Sequence, residues 1–304
     1  MGCDYIAYSS ARTDARRVAF LSAGSYAVTM NVAVGIVAQR DNERAQTLAA
    51  TLVDTLEDGV STAVDDATSA AVGEDGVPVG SMADRDLVVS IGGDGTLLFV
   101  AREVGGTPIL GVNLGEVGFL NAVSPDEAVA AVADAVETLR QTGAVDGREL
   151  DRLRAGGEGW TLEPALNEVV VHGPRRGHGG GATIELRVDG NRYAKSHADG
   201  VLVATPTGST AYNLGEGGPL VHPDGDTLVV TQMAASDAMP PLVVDRGAEI
   251  TLAVSEAETA YAISDGRNRR DLEPPATVDV SVADDPVTLA GPQADFFEAL
   301  EKLE

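Results

Sequence analysis

The sequence predicts an α/β protein, with an N-terminal Rossmann-like parallel-sheet domain followed by a mostly antiparallel β domain. Three observations predict it. From residue 32 to about 142, apolar runs of strand length alternate with helical patterns, as in a parallel sheet with helices on its faces. From about 145 the texture changes to short β-rich runs separated by Gly, Pro and Asp. Between the apolar run 87–91 and the helix-forming run 97–102 lies Gly92-Gly93-Asp94-Gly95-Thr96. A strand that breaks into glycines and enters a helix leaves backbone N–H groups outward at the positive end of the helix dipole, which suits a phosphate.

Taken in order, the continuous apolar run 32–38 is a buried first strand. Residues 41–56 form a helix, with Asp41 as N-cap and Ala45, Leu48, Ala49, Leu52 and Leu56 at helical spacing. A weak strand follows at 60–64, and 65–85 is ambiguous. Residues 87–91 and 108–112 are strands, the second ending at Asn113. Residues 125–140 form a helix capped by Ser124. Ligands of such sheets lie off the carboxyl ends of the strands, where Asp94 and Asn113 both fall. The β-rich runs are 166–172, 183–188, 193–196, 201–204, 228–231, 250–254, 261–264 and 278–282, and 295–303 is a terminal helix. The expected domains are a disordered extension over 1–30, an α/β domain over 31–143, a β domain over 144–290, and a terminal segment 291–304 packing back on the first domain.

Composition narrows the function. With 47 acidic residues against 21 Lys and Arg, the net charge is −26, too acidic to build a large basic face for nucleic acid or an acidic membrane. Lys195 and Lys302 are the only lysines, a balance associated with a high-salt cytoplasm. There the Debye length falls to about 3 Å or less and self-repulsion is screened. Cys3 is the single cysteine, so an internal disulfide and a cysteine-rich zinc site are both excluded. Arg16-Arg17 faintly resembles an export signal, but Ser22, Gly24, Ser25 and Thr29 break the apolar segment after it. Met30 directly precedes the first strand, so residues 1–29 read as an extension from an upstream start. No uninterrupted apolar run of about 18 residues is present. The protein is expected in the cytoplasm.

Two motifs carry chemistry. In the first, glycines allow close approach and Asp94 can take a proton, bind a hydroxyl or hold Mg²⁺. The second is Thr205-Pro206-Thr207-Gly208-Ser209-Thr210-Ala211-Tyr212, entered from the run 201–204. Its hydroxyls of Thr207, Ser209 and Thr210 can hold a ribose and phosphate, and Tyr212 can stack on a flat ring. Asn167-Glu168 interrupts an apolar segment, so one of the two faces a core or cleft. Asp199-Gly200 precedes the strand that leads to the second motif, and His197 would share a strand face with Asp199. Asp265-Gly266 reads as a hairpin turn. His172, His178, His197 and His222 show no helical zinc spacing, and no metal ligand set is assigned.

These pieces, in this order, resemble the NAD kinases, over roughly residues 32–285. The first motif is shared with lipid kinases and phosphofructokinases; the segment 205–212 is close to diagnostic. The resemblance implies phosphorylation of the adenosine ribose 2′-hydroxyl of NAD to give NADP, with Asp94 as proton acceptor and Asp94-Gly95 touching NAD. It implies that Asn167 and Glu168 hold NAD and that Asp199 lies near the nicotinamide ribose. It places Thr207, Thr210, Ala211, Tyr212, Asn213, Leu214 and Gly215 around the adenine and ribose, with Phe119 near the adenine. His178 and His197 fall where the family often has basic ligand residues, and Arg267 falls near a polar contact position often filled by Gln. Mg²⁺ or another divalent cation, ATP or polyphosphate as donor, and a homodimer or homotetramer with sites near the subunit interface are also implied. The chain departs from the pattern at Glu116, where many members have His, at His197, a frequent Arg, and at 234–241, which lacks a Pro-His and Arg common in bacterial members. A non-catalytic NAD(H)-binding regulator would keep the dinucleotide residues without needing Asp94. A lipid or sugar kinase sharing only the first motif leaves 205–212 unexplained.

Overall fold

The computed structural model of the chain describes residues 31–56, 59–115, 118–177 and 180–301. The extension expected over 1–30 lies outside them, as do Glu116, His178 and Lys302.

Strand β1 (Val32–Ala38) is buried on both faces, as its unbroken apolar run requires of a central parallel strand. Helix α1 spans Glu43–Thr55 and presents Ala45, Ala49 and Leu52 to the core. Its cap is Asn42 rather than the expected Asp41: the Asn42 side chain accepts from the Arg44 and Ala45 N–H groups, at 3.1 and 3.3 Å. Asp41 sits in the preceding turn with φ +57°. Strand β2 (Val60–Asp65) follows. The ambiguous stretch resolves into a short helix α2 (Ser69–Val72), a two-residue strand β3 (Gly76–Val77) and a 3₁₀ turn at Val79–Met82. Strand β4 (Leu87–Gly92) runs into helix α3 (Asp94–Val104), and strand β5 (Ile109–Asn113) follows. Helix α4 covers Ala128–Thr142, three residues later than expected. The stretch from Ser124 is a turn instead, in which the Ser124 hydroxyl donates to the Glu127 carboxylate at 2.6 Å. Gly143 ends α4 at φ +75°, the left-handed conformation that a helix terminus takes most easily with glycine.

The chain then gives β6 (Gly147–Leu150), β7 (Leu153–Gly157), β8 (Trp160–Thr161) and β9 (Glu168–His172). Next come β10 (Ala182–Val188), β11 (Asn191–Ala198), β12 (Gly200–Ala204) and a one-turn helix α5 (Tyr212–Gly215). Strands β13 (Thr227–Met233), β14 (Leu242–Asp245), β15 (Ile250–Ser255) and β16 (Ala260–Ser264) precede β17 (Asn268–Leu272) and β18 (Ala276–Val282). Strand β19 (Val287–Ala290) and helix α6 (Phe296–Glu301) close the described chain.

Three sheets result. The first has the order β3-β2-β1-β4-β5-β19-β6, parallel except for β6. Its order turns back between β1 and β4, which opens a crevice at their carboxyl ends. The other two sheets are antiparallel and six-stranded, β11-β10-β15-β18-β7-β8 and β14-β13-β12-β9-β16-β17. They face each other across one apolar core that takes Val169 and Val171 from β9, Val201 and Val203 from β12, and Ile184 and Leu186 from β10. Each such side chain contributes roughly 1.5–3 kcal/mol by leaving water. The expected boundary at 143/144 does not match the sheets. Strands β6 and β19, both from the stretch assigned to the β domain, belong to the first sheet. The reason is pairing: β19 lies parallel to β5 and antiparallel to β6.

Candidate active site

The first wall of the site is the turn between β4 and α3. Gly93 is its N-cap, and Gly92 is packed so tightly that a Cβ would meet Thr96 and come within 3.1 Å of Gln39. Gly95 faces open space. Asp94 opens the helix, and its carboxylate reaches across to the 118–120 segment. Oδ2 accepts the Phe119 N–H at 2.9 Å and Oδ1 the Leu120 N–H at 3.3 Å. Burial pushes the Asp94 carboxyl above the usual carboxylate range, against the opposing pull of these N–H groups. A crevice of about 790 Å³ opens beside it at the carboxyl ends of β1, β2 and β4. Gln39 and Arg40 from the end of β1, Asp65 and Asp66 from the end of β2, and Gly93 to Thr96 line it, together with Arg267. Asp65 is engaged in the fold, accepting from the Thr68 hydroxyl and from the Ala67 N–H at 3.1 Å.

The second wall begins at Glu168. Because β9 alternates, Val169 and Val171 enter the sandwich core while Glu168 and Val170 face the other side. Glu168 is 7% exposed and pairs in register with Ala204. It takes the Tyr212 N–H, yet its Oε2 has no partner. Burial, reinforced by the nearby Asp265 charge, raises its pKa to about 7. Asn167 lies in the bend before the strand. Its carbonyl accepts the Thr205 N–H at 2.9 Å, and a Cβ on Gly208 would overlap the Asn167 backbone, so that glycine is required for close approach.

The turn over 205–215 uses its polar groups differently from the expectation. Ser209, fully buried, both donates to the Val221 carbonyl (3.1 Å) and accepts the Val221 N–H (3.0 Å). The Thr210 hydroxyl donates to the Thr207 carbonyl at 3.2 Å. Asn213, expected beside the ligand, is also fully buried. Its amide donates to Ser209 and Pro219 carbonyls, and its oxygen accepts the Thr231 hydroxyl. These side chains build the turn. Leu214 and Gly215 are exposed at its end, and Ala211 and Tyr212 are half-buried. The Tyr212 ring carries the Arg176 guanidinium 5.0 Å from its centroid. Asp199 accepts the Gly177 N–H on both oxygens, at 3.0 and 2.9 Å.

The structure therefore gathers Asp94, Gly95 and Arg267 on one crevice, and Glu168, Asn167, Thr207 and Tyr212 on the other wall. Phe119 joins the first group through its backbone, while its ring lies 6.0 Å from that of Phe296 in α6. Phe296 also meets His222 at 5.2 Å, so α6 touches segments of both walls. His197 falls elsewhere: it is exposed, bonded to the Gly180 carbonyl at 2.8 Å, and lines a separate cavity with Pro174, Arg175 and Glu256. The alternation expected to keep it with Asp199 stops there: β11 ends at Ala198 in one sheet and β12 begins at Gly200 in the other, so His197 stays beside β10 while Asp199 sits at the crossing. His178 is outside the described residues. Sequence reasoning missed Gln39, Arg40, Asp65 and Asp66. Their position directly after strands of a parallel sheet was the signal that could have found them. It also took Asp265 as a plain turn residue, whereas its carboxylate binds the backbone of the second wall.

Fold and site define a class: a two-part α/β protein with a glycine-rich acidic turn at the switch point of a parallel sheet and a β sandwich whose Arg267 reaches the same crevice. The chain belongs to the NAD kinase family. The model of the ATP-NAD kinase N-terminal domain matches residues 34–140 and that of the C-terminal domain residues 166–290. It is 56% identical over 280 residues to the NAD kinase of Haloarcula marismortui, covering 89% of this chain and 99% of that protein. Identity to the NAD kinase of Halobacterium salinarum is 55% over 280 residues, with the same coverage. Among solved structures, an NAD kinase from Archaeoglobus fulgidus in complex with ATP superposes with a TM-score of 0.72 at 22% identity, covering 90% of this chain and all of that one. Yeast NADH kinase complexed with NADH gives 0.77 at 21% identity, covering 94% and 92%. At these identities the structures speak for the fold alone.

Proposed function

We propose that the protein transfers a phosphoryl group to the 2′-hydroxyl of the adenosine ribose of NAD, giving NADP. The observation that carries this reading is Asp94. It is a carboxylate set at a helix N-terminus beside a crevice at the sheet's switch point, with its pKa raised by burial. A general base works best with a pKa moved toward the working pH. In the proposed step the 2′-oxygen attacks the terminal phosphorus of the donor, its proton passes to Asp94, and the bond to the leaving phosphate oxygen breaks. The remaining requirements are positioning and charge neutralisation. The backbone N–H of Gly95 at the start of α3, with Arg40 and Arg267, supplies positive potential along the crevice.

Mg²⁺ fits as part of the donor. Among the described residues no group of three His, Cys, Asp or Glu could hold a metal by itself. Mg²⁺ commonly binds through one or two carboxylates plus substrate phosphates and keeps several waters. Asp66, on the same crevice, would serve that arrangement and leave Asp94 free for the proton, with ATP or polyphosphate bringing the metal. Glu168, Asn167 and Tyr212 would hold the dinucleotide on the facing wall, with Asp199 toward its nicotinamide end. The acidic composition favours operation in concentrated salt, and membership of the family favours a cytoplasmic homodimer or homotetramer. Among the described residues no helix is long and apolar enough to cross a membrane.

The test is NADP formation by purified protein from NAD, Mg²⁺ and ATP, in molar and in low KCl, alongside Asp94→Asn. The variant is expected to lose at least ~10²-fold in kcat, the scale for removal of a general base. Turnover within a few fold of wild type removes Asp94 from the role. Tight NAD binding with no product from any donor favours a non-catalytic NAD-binding protein.

A further inference from the structure

Asp265 lies just past β16, in a turn that reads from sequence as an ordinary hairpin. Its side chain does not close that turn. Oδ2 accepts the Leu166 N–H at 2.8 Å, and Oδ1 accepts both the Asn167 N–H at 2.9 Å and the Glu168 N–H at 3.1 Å. Three consecutive backbone donors thus converge on one carboxylate, nearly a hundred residues away in sequence. The Asp265 N–H returns the contact by donating to the Glu168 carbonyl at 3.0 Å. In making these bonds Asp265 adopts φ +45°, a left-handed conformation that is strained for a non-glycine residue. Charge-assisted bonds of this kind are roughly twice as strong as neutral ones, which offsets that strain.

The segment held this way is the NAD-facing wall. Leu166 and Asn167 also bind Thr205 through their carbonyls, and Asn167 sets the floor against which Gly208 packs. Arg102 of α3 lies near enough for its charge to act on Asp265, and α3 is the helix that begins with Asp94. Two residues beyond Asp265, Arg267 lines the Asp94 crevice. One turn therefore touches both walls.

We propose that Asp265 is a positioning residue for the transfer: its three-N–H clasp on Leu166, Asn167 and Glu168 fixes the dinucleotide wall relative to the helix that carries Asp94. The inference rests on the NAD kinase reading of the site and extends it to a residue that need not touch either substrate.

The experiment compares wild type with Asp265→Asn, which removes one acceptor oxygen and the charge. Asp265→Glu keeps both acceptors but displaces them by one methylene. Steady-state kinetics give KM for NAD and for ATP separately, and calorimetry gives the Kd for NAD. Hydrogen exchange reads the Leu166, Asn167 and Glu168 amides. The expected result for Asp265→Asn is a KM and Kd for NAD raised about 10-fold, with KM for ATP within twofold, and faster exchange at those three amides. Asp265→Glu is expected to recover part of the NAD affinity. NAD affinity and KM within twofold of wild type in both variants, with only the melting temperature lowered, overturns the proposal. Should Asp265→Asn not fold, unchanged NAD affinity in Asp265→Glu overturns it and a several-fold loss supports it. A wild type that binds NAD without making NADP sinks the kinase reading alone, and the calorimetry still decides on Asp265. A wild type that binds no NAD sinks both.

Discussion

The two glycine-containing turns look alike in sequence and behave oppositely in the fold. In the turn over 92–96, the tight glycine faces inward at Gly92 while Gly95 and Asp94 front an open crevice. In the turn over 205–215, Ser209, Thr210 and Asn213 spend their polar atoms on the protein itself, on Val221, Thr207, Pro219 and Thr231. A concentration of hydroxyls is thus no measure of ligand contact. What matters is whether a backbone elsewhere in the chain returns to claim them. The second turn's outward polar link is the Tyr212 N–H, which meets Glu168.

Glu168 offers the largest test of that contrast. Its carboxyl titrates near 7 rather than near 4.5, because burial disfavours the charge. A carboxyl raised in this way lends stability below its ordinary pKa and loses it as pH rises through the folded value, here between about 4.5 and 7. Holding it charged above that window costs on the order of 3 kcal/mol. Glu168→Gln should therefore raise the melting temperature at pH 8 and leave it nearly unchanged at pH 4.5, while NAD turnover falls. Equal shifts at both pH values would show that the carboxyl is not penalised, and the residue would lose its standing as one kept for ligand binding.

Ser209→Ala is the next largest. It leaves the Val221 N–H and carbonyl unpartnered in a buried site, which costs roughly 1–3 kcal/mol, read as a shift in urea midpoint. KM for NAD in the folded fraction should stay within about twofold, as expected of a group that builds the turn and does not meet the ligand. A large KM change with stability intact would reverse the assignment.

The smallest effect on stability belongs to Gly95→Ala. Nothing lies within 4 Å of the added methyl, so the melting temperature should barely move. The crevice is where the donor would pack, so kcat/KM for ATP should fall by about 10-fold, some 1.4 kcal/mol of transition-state binding. Full activity in that variant would place the donor away from Gly95.

Much of this architecture was legible from local patterning. Strand β1 falls where its apolar run lies, and the switch from parallel to antiparallel texture follows the change from helical spacing to Gly- and Asp-bounded short runs. What stayed hidden depends on partners distant in sequence. Strand β6, Gly147–Leu150, carries Arg148 and Glu149 and has no apolar run to mark it; its partner is β19, well over a hundred residues on. Asp265 resembles any hairpin aspartate until Leu166 to Glu168 arrive beneath it. The side of β11 on which His197 falls is settled by its pairing with β10, where it meets Thr183.

Strands β6 and β19 bracket the whole sandwich within the first sheet. Topologically the sandwich is an insert, entered after Leu150 and left before Val287. A fragment that stops at residue 143 lacks two strands of its own sheet and exposes the edge of β5, so the first half cannot be separated by trimming one end. Splicing residue 150 to residue 287 is the cut that respects the fold. The same bracketing means two covalent strands, not one, cross between the walls, which limits how far they can twist apart.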